Sequence, residues 1–208
     1  MKYVLRKEYG KFILWILAGM FIHKSVLLVI PVYLAAYFVS GIRLKRLSYC
    51  LGGLLLCSLV FCRDFYRELI FFFYPFYRDS EFDNGQLSWM NILKCVCVLL
   101  LCMICYRRSL QDIKEHRQNR FYFFLNVFGL VVYCCGSFIP ETSRIGYYMI
   151  ISQVFLLPEL LAGMKQGWLR WLCCAGVIAA FCAYFCLQLK GMYATDIRLL
   201  PYLNWIFN

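Results

Sequence analysis

Long apolar runs separated by short polar connectors make up most of the chain. Phe12 to Ile22 is the first run; His23-Lys24 interrupts it, and Ser25 to Val39 continues it past Pro31. The first run is short for a crossing, which needs about 20 residues. One unbroken helix through both would place His23 and Lys24 in mid-bilayer. The pattern therefore predicts two tilted or broken segments meeting at His23, a break tolerated where it faces protein or a wet cavity. Leu47 to Cys62, Met90 to Tyr106, Phe121 to Phe138, Ile145 to Leu161 and Trp171 to Leu189 bring the predicted membrane segments to seven. Gly52-Gly53 suits a close helix contact in the third. Pro158 is placed to kink the end of the sixth.

The longest connector, Arg63 to Ser88, starts with a stretch too charged to span. Arg63 with Arg67, and Asp64 with Glu68, stand four residues apart and share one helical side. That spacing predicts an interfacial amphipathic helix, broken near Pro75. Asp79, Glu81 and Asp83 with Asn84-Gly85 mark a polar turn.

Composition fixes the class. Of the 208 residues, 63% are hydrophobic and only 16% are charged. A soluble domain cannot hide that much apolar surface, whereas a bilayer can. The expected fold is all-α, a polytopic transmembrane bundle of about seven segments with an amphipathic helix on its outer face, in a single membrane domain over 1–208. A β-barrel needs alternating strands of about ten residues, and continuous apolar runs argue against it. The N-terminus, with Lys2, Arg6, Lys7 and Lys11 before an apolar run, resembles a signal peptide. It lacks a small-x-small cleavage site and further runs follow, so it reads as an uncleaved first segment.

A net charge of +11 raises the question of nucleic acid. The basic residues fall in short loops between apolar runs, and no nucleic-acid fold signature appears, so no nucleic-acid partner is expected. Alternating the loops puts fourteen Lys and Arg on one side, in four clusters, and the other eight on the opposite side. The positive-inside rule then gives a multi-pass protein of the inner membrane with its N-terminus inside and its C-terminus outside. Thirteen cysteines lie mostly within apolar runs, including the Cys102 and Cys105 CxxC. A free cysteine packs as a small hydrophobe. Zinc wants four ligands, and only His23 and His116 are available to join them, so neither metal nor cofactor is expected.

In this topology the outer face gathers His23, Lys24, Arg63, Asp64, Arg67, Glu68, Glu141, Arg144, Tyr147 and Tyr148, while Glu159 falls toward the inner end. Each has an ordinary alternative as an interfacial anchor, a local ion-pair partner or a solvated loop residue. Taken together their chemistry is suggestive. Arginine grips phosphate with a planar fork of donors. A histidine or carboxylate takes a proton from a hydroxyl. Tyrosine stacks on sugar and bonds its hydroxyls. Such parts suit a lipid diphosphate carrying sugar, with electrostatic stabilisation of a phosphate leaving group.

Three short motifs, in order and spacing, resemble the EpsG family of Wzy-like polysaccharide polymerases. Phe21-Ile22-His23-Lys24-Ser25-Val26-Leu27 is similar to the family's aromatic-x-His-x-Ser-aliphatic segment. Ser143-Arg144-Ile145-Gly146-Tyr147-Tyr148, followed by Leu157-Pro158, resembles its Arg-hydrophobic-x-x-Tyr motif and downstream proline, and Leu200-Pro201-Tyr202 its C-terminal Pro-Tyr. The resemblance implies a multi-helix enzyme that joins undecaprenyl-diphosphate-linked oligosaccharide repeats outside the cytoplasmic membrane. Membrane lipid, a flippase and a chain-length regulator are the expected partners. Carried over by position, Arg144 would hold diphosphate or sugar, and His23 would be a proton acceptor or structural pivot; Tyr148 matches the Arg-Tyr motif. Tyr147, Arg63, Arg67, Asp64 and Glu141 are candidate substrate-binding residues from the outer-face grouping. Family members usually carry several helices before the histidine motif, so the chain resembles the C-terminal portion of the family domain. Other readings remain: a transporter or flippase component for lipid-linked glycans, a non-catalytic membrane subunit, and a His/Cys membrane peptidase.

Overall fold

In hydrocarbon every backbone N–H and C=O must pair within the protein, and a helix does this without help from a neighbour. The computed structural model describes residues 1–41, 52, 54, 57–73, 75, 78, 87–109, 117–138 and 142–192, and all the regular structure among them is helical. In chain order the elements are α1 (Lys2–Leu5), α2 (Tyr9–Met20), a 3-10 turn (Lys24–Leu28), α3 (Val29–Gly41), α4 (Arg63–Phe73), α5 (Trp89–Ser109), α6 (Arg117–Cys134), a second 3-10 turn (Cys135–Ser137), α7 (Thr142–Ile150), α8 (Gln153–Ala162) and α9 (Trp168–Met192).

Three stretches among the described residues are long and apolar enough to cross a membrane: Lys24–Gly41, Arg144–Ala162 and Trp168–Lys190. Tyr9–Met20 and Trp89–Cys105 are apolar but shorter. The 12 residues of α2 rise about 18 Å, well under the roughly 30 Å of a bilayer core. Leu47 to Cys62 lies largely outside the described residues. The break expected at His23 is present: α2 ends at Met20, and the 3-10 turn starts at Lys24.

The residues Met1–Leu160 and Leu161–Asn208 form two compact units. In the second, α9 exposes Trp168, Trp171, Ile178 and Phe185. A helix that is apolar all round belongs in lipid or in a large core.

In the first unit the packed pairs α2–α3, α3–α6 and α6–α7 run antiparallel. Tyr9 meets Tyr37 edge-on and Phe12 stacks on Tyr33, which aligns α2 with α3. At the far end of α3 the Arg117 guanidinium lies 3.9 Å over the Tyr37 ring and donates to its carbonyl at 3.3 Å, while Phe121 packs edge-on against Tyr33 and Tyr37. This sets α6 against α3. The pairing of α6 with α7 depends on two glycines. A Cβ on Gly146 would lie 2.3 Å from the buried Tyr133 ring, and one on Gly129 would lie 2.9 Å from an Ile150 methyl. At Gly52, which the sequence puts forward for such a contact, no atom of the described residues lies within 4 Å of where a Cβ would sit, and Gly53 lies outside them. Close contact here comes from small residues spaced along α6 and α7, as is common between membrane helices.

A buried polar network ties α5, α6 and α8 together. Gln153 Nε2 donates to Asn126 Oδ1 at 2.7 Å, and Asn126 Nδ2 donates to the Cys95 carbonyl at 3.3 Å. The Arg144–Ala162 stretch is interrupted at Ile151–Ser152 by i−3 bonds, Ser152 N to Met149 O (3.1 Å) and Val154 N to Ile151 O (3.2 Å). The interruption precedes Pro158, which sits inside α8 while the helix continues to Ala162. The described cysteines are free thiols; Cys95, Cys102, Cys105 and Cys135 are buried and pack as small hydrophobes, whereas Cys57, Cys62, Cys97, Cys134, Cys182 and Cys186 are exposed.

Two substitutions test this packing. Gly146→Ala should destabilise the protein: the overlap with Tyr133 costs about 1–3 kcal/mol and outweighs a helix-propensity gain of about 1 kcal/mol. Thermal unfolding in detergent should show a lowered midpoint, and Tyr133→Leu in the same chain should make the loss less than additive. Gln153→Leu, which strips Asn126 Oδ1 of its donor, should cost about 1–2 kcal/mol in the same assay.

Candidate functional site

The chain reverses direction at His23, and the reversal creates the site. Both the Ile22 and the His23 N–H bond back to the Gly19 carbonyl at 3.0 Å, closing α2. His23 itself is extended (φ −149°, ψ 117°) and caps the following 3-10 turn, its Nδ1 accepting the Ser25 N–H at 3.3 Å. An imidazole thus does what Ser, Asp or Asn does at most helix starts. Ser25 Oγ lies 2.8 Å from the same Nδ1 and 3.2 Å from the Tyr148 hydroxyl. On the other ring edge, Nε2 is 3.5 Å from Arg144 Nη1.

The α7 half of the site is held by a backbone carbonyl. Because Ser152 N bonds Met149 O, the Tyr148 carbonyl does not receive the N–H that a continuous helix would give it. The Tyr33 hydroxyl donates to it at 2.5 Å. Below the polar cluster an apolar seam of Leu28, Val29, Val32, Ile145 and Met149 joins the 3-10 turn and α3 to α7. Arg144 is exposed in the first turn of α7, and that turn contains no acidic residue. A cation there faces the unfavourable end of the helix dipole.

Of the residues singled out from the sequence, His23, Arg144 and Tyr148 come together, although His23 and Arg144 are 121 positions apart. Tyr147 is exposed on a different side of α7, since successive helical residues point about 100° apart. The described contacts of α4 are local. Arg63 pairs with Asp64 at 3.6 Å, the Arg67 guanidinium lies 5.3 Å over Phe71, and Glu68 pairs with Arg78. Glu141 and Pro201-Tyr202 lie outside the described residues, and Glu159 is exposed on α8. No group of three His, Cys, Asp or Glu gathers around a possible metal among the described residues.

Ser25 and Tyr33 are the members that residue-type reasoning passes over. Ser25 stands at the His-x-Ser spacing at which a side chain reaches the N–H two residues on. Tyr33 bonds to a carbonyl exposed by a helix interruption, which leaves no trace in residue type.

Helices long and apolar enough to span a membrane, with a basic–imidazole–phenol cluster at one end of the bundle, define a helical membrane protein. The chain belongs to the EpsG family, whose model matches residues 1–204. No curated protein and no solved structure matched it.

Tyr33→Phe should leave the Tyr148 carbonyl without its donor and cost about 1 kcal/mol. Thermal unfolding in detergent should show this loss, with a smaller one for Tyr148→Phe, whose hydroxyl contact is longer, 3.2 Å against 2.5 Å.

Proposed function

We propose that the chain is a membrane glycan polymerase that lengthens lipid-diphosphate-linked oligosaccharides at the outer face of the bacterial inner membrane, in capsule, exopolysaccharide or O-antigen synthesis. The convergence of His23 and Arg144 from distant parts of the chain, within a member of the EpsG family, is the observation that carries this reading. In the reaction a growing chain leaves its undecaprenyl diphosphate and joins the terminal sugar of a new repeat. The glycosidic bond forms as the sugar–phosphate bond breaks; the acceptor hydroxyl gives its proton to the departing diphosphate or to a carboxylate, and the diphosphate leaves as an anion. Arg144 stabilises the negative charge on that leaving group, as an exposed donor-only fork at the membrane surface is suited to do. Tyr148 offers a hydroxyl for the sugar.

The proposed topology has seven segments, with the N-terminus inside, the C-terminus outside, and the His23–Arg144 end of the bundle outside. The opposite end, where Arg117 docks on Tyr37 beside Gly41, adjoins the basic connector from Arg107 to Arg120 and becomes the cytoplasmic side. A flippase delivering the repeat and a chain-length regulator complete the proposed partners.

The test is the length distribution of lipid-linked and surface glycan. Deletion of the gene and Arg144→Ala should each collapse a ladder of repeats to single units. Arg144→Lys should restore it incompletely, because an ammonium offers a point charge in place of a planar fork. A ladder unchanged by deletion makes the chain a non-catalytic subunit.

A further inference from the structure

Two donor-only groups face the two nitrogens of His23, and a neutral ring can accept from one side only. The Ser25 backbone N–H is a donor in every protonation state, and it is aimed at Nδ1 at 3.3 Å. The Arg144 guanidinium, also a donor in every protonation state, faces Nε2 from the exposed side, where water can take its N–H groups, whereas the Ser25 N–H is part-buried and closer. Nδ1 is therefore the acceptor that the fold has to supply, and the proton of the neutral ring falls on Nε2. Ser25 Oγ, 2.8 Å from Nδ1, donates its hydroxyl proton to the same lone pair and accepts from the Tyr148 hydroxyl at 3.2 Å. Tyr148 is anchored in turn by Tyr33 at its carbonyl.

This assignment changes the meaning of the 3.5 Å approach of Arg144 Nη1 to Nε2. A guanidinium has donors and no acceptor. With a proton on Nε2 neither group accepts from the other, and two N–H groups adjoin the same space. Two donors held that close have a natural common partner in an oxygen bearing negative charge, to which charge-assisted bonds are the strong ones.

We infer that His23 and Arg144 form a two-donor clamp for a phosphate oxygen, with Ser25 and Tyr148 as positioning residues that hold the ring in its Nε2–H form. The identity of the phosphate as the substrate's diphosphate rests on the function proposed above; the tautomer and the pairing of donors belong to the chain itself. His23 in this arrangement is not the base that activates the acceptor hydroxyl. Nε2 has no lone pair to offer, and that of Nδ1 is occupied by Ser25.

The experiment is 15N NMR of imidazole-labelled full-length chain in detergent. The sequence has two histidines, His23 and His116, so His116→Gln assigns the spectrum. His23 should show a pyrrole-type Nε2 and a pyridine-type Nδ1. Ser25→Ala should shift the tautomer ratio about two- to tenfold toward the other form, the worth of one hydrogen bond. Ser25→Thr should restore it, a pattern that general loosening of the fold would not give. Farnesyl diphosphate should then move the Nε2 resonance in the wild type and not in Arg144→Ala. His23→Gln, which keeps an N–H donor near Nε2, should retain most of the farnesyl diphosphate binding, and His23→Ala, which removes the donor, should lose it. A matching titration with phosphatidylglycerol tells the sources apart: a response at equal or lower concentration assigns the clamp to lipid headgroups. A pyrrole-type Nδ1, no response to either phosphate, or equal farnesyl diphosphate binding in wild type and His23→Ala overturns the clamp. The NMR arm reads the free chain, so its failure is distinct from that of the polymerase reading, which falls if deletion spares the ladder.

Discussion

Everything at the candidate site depends on how closely α7 can approach α6. Arg144 and Tyr148 lie on α7, and Gly146, between them, has the Tyr133 ring where a side chain would begin. In lipid there is little hydrophobic force to press helices together, so packing contact and interhelical hydrogen bonds must do it. The two glycines supply the contact. The Gln153–Asn126–Cys95 network adds direction, because a polar side chain buried in an apolar surround stays where its partner is. Sterics and polar pairing thus act on the same line of helices, α5, α6, α7 and α8.

The interruption at Ile151–Ser152 converts this rigidity into something useful. A change from i−4 to i−3 bonding leaves the Tyr148 carbonyl to an outside donor, and Tyr33 on α3 provides one. Locally the break withholds a backbone bond. In the fold it fastens α7 to α3, and through α3 to the turn that begins at His23. The same economy appears at the turn itself, where the side chain that caps the backbone also faces Arg144. Structure and chemistry are carried here by the same few hydrogen bonds, so a substitution at Ser25 or Tyr33 alters the site as well as the stability.

Much of this was legible from the order of residues. The His23-Lys24 interruption of an apolar run pointed to a broken segment, and an arginine with tyrosines at the mouth of a later run pointed to the same end of the bundle. Both follow from the cost of burying charge in a bilayer, which is visible in residue type alone. Long-range pairing was less legible. Residue type puts forward Gly52-Gly53 for close contact and not Gly129 and Gly146, yet no atom of the described residues lies near a Cβ on Gly52, since a small residue permits an approach without specifying a partner. Residue type groups Tyr147 and Tyr148 on one face, with only Tyr148 matching the family motif, and the helical phase separates them. The charges of α4, grouped with the site by the side of the membrane they were expected to share, make their described contacts with Asp64, Phe71 and Arg78 within their own stretch of chain.

The proton arrangement at His23 has a consequence for the proposed chemistry. Glycosyl transfer to a hydroxyl needs somewhere for the hydroxyl proton to go, and a histidine near an arginine is the obvious candidate. Here the imidazole lone pair faces the protein's own Ser25, and the opposite edge faces a guanidinium. A base placed there would have to let go of its cap to accept a proton, giving up the turn that positions it. A donor has no such conflict, because the cap that shapes the turn also fixes the proton on the nitrogen next to Arg144. If leaving-group stabilisation is the main work of this pair, the barrier falls through charge held on the departing diphosphate. The acceptor hydroxyl would then lose its proton late in the transfer, to the diphosphate itself or to a carboxylate from another segment.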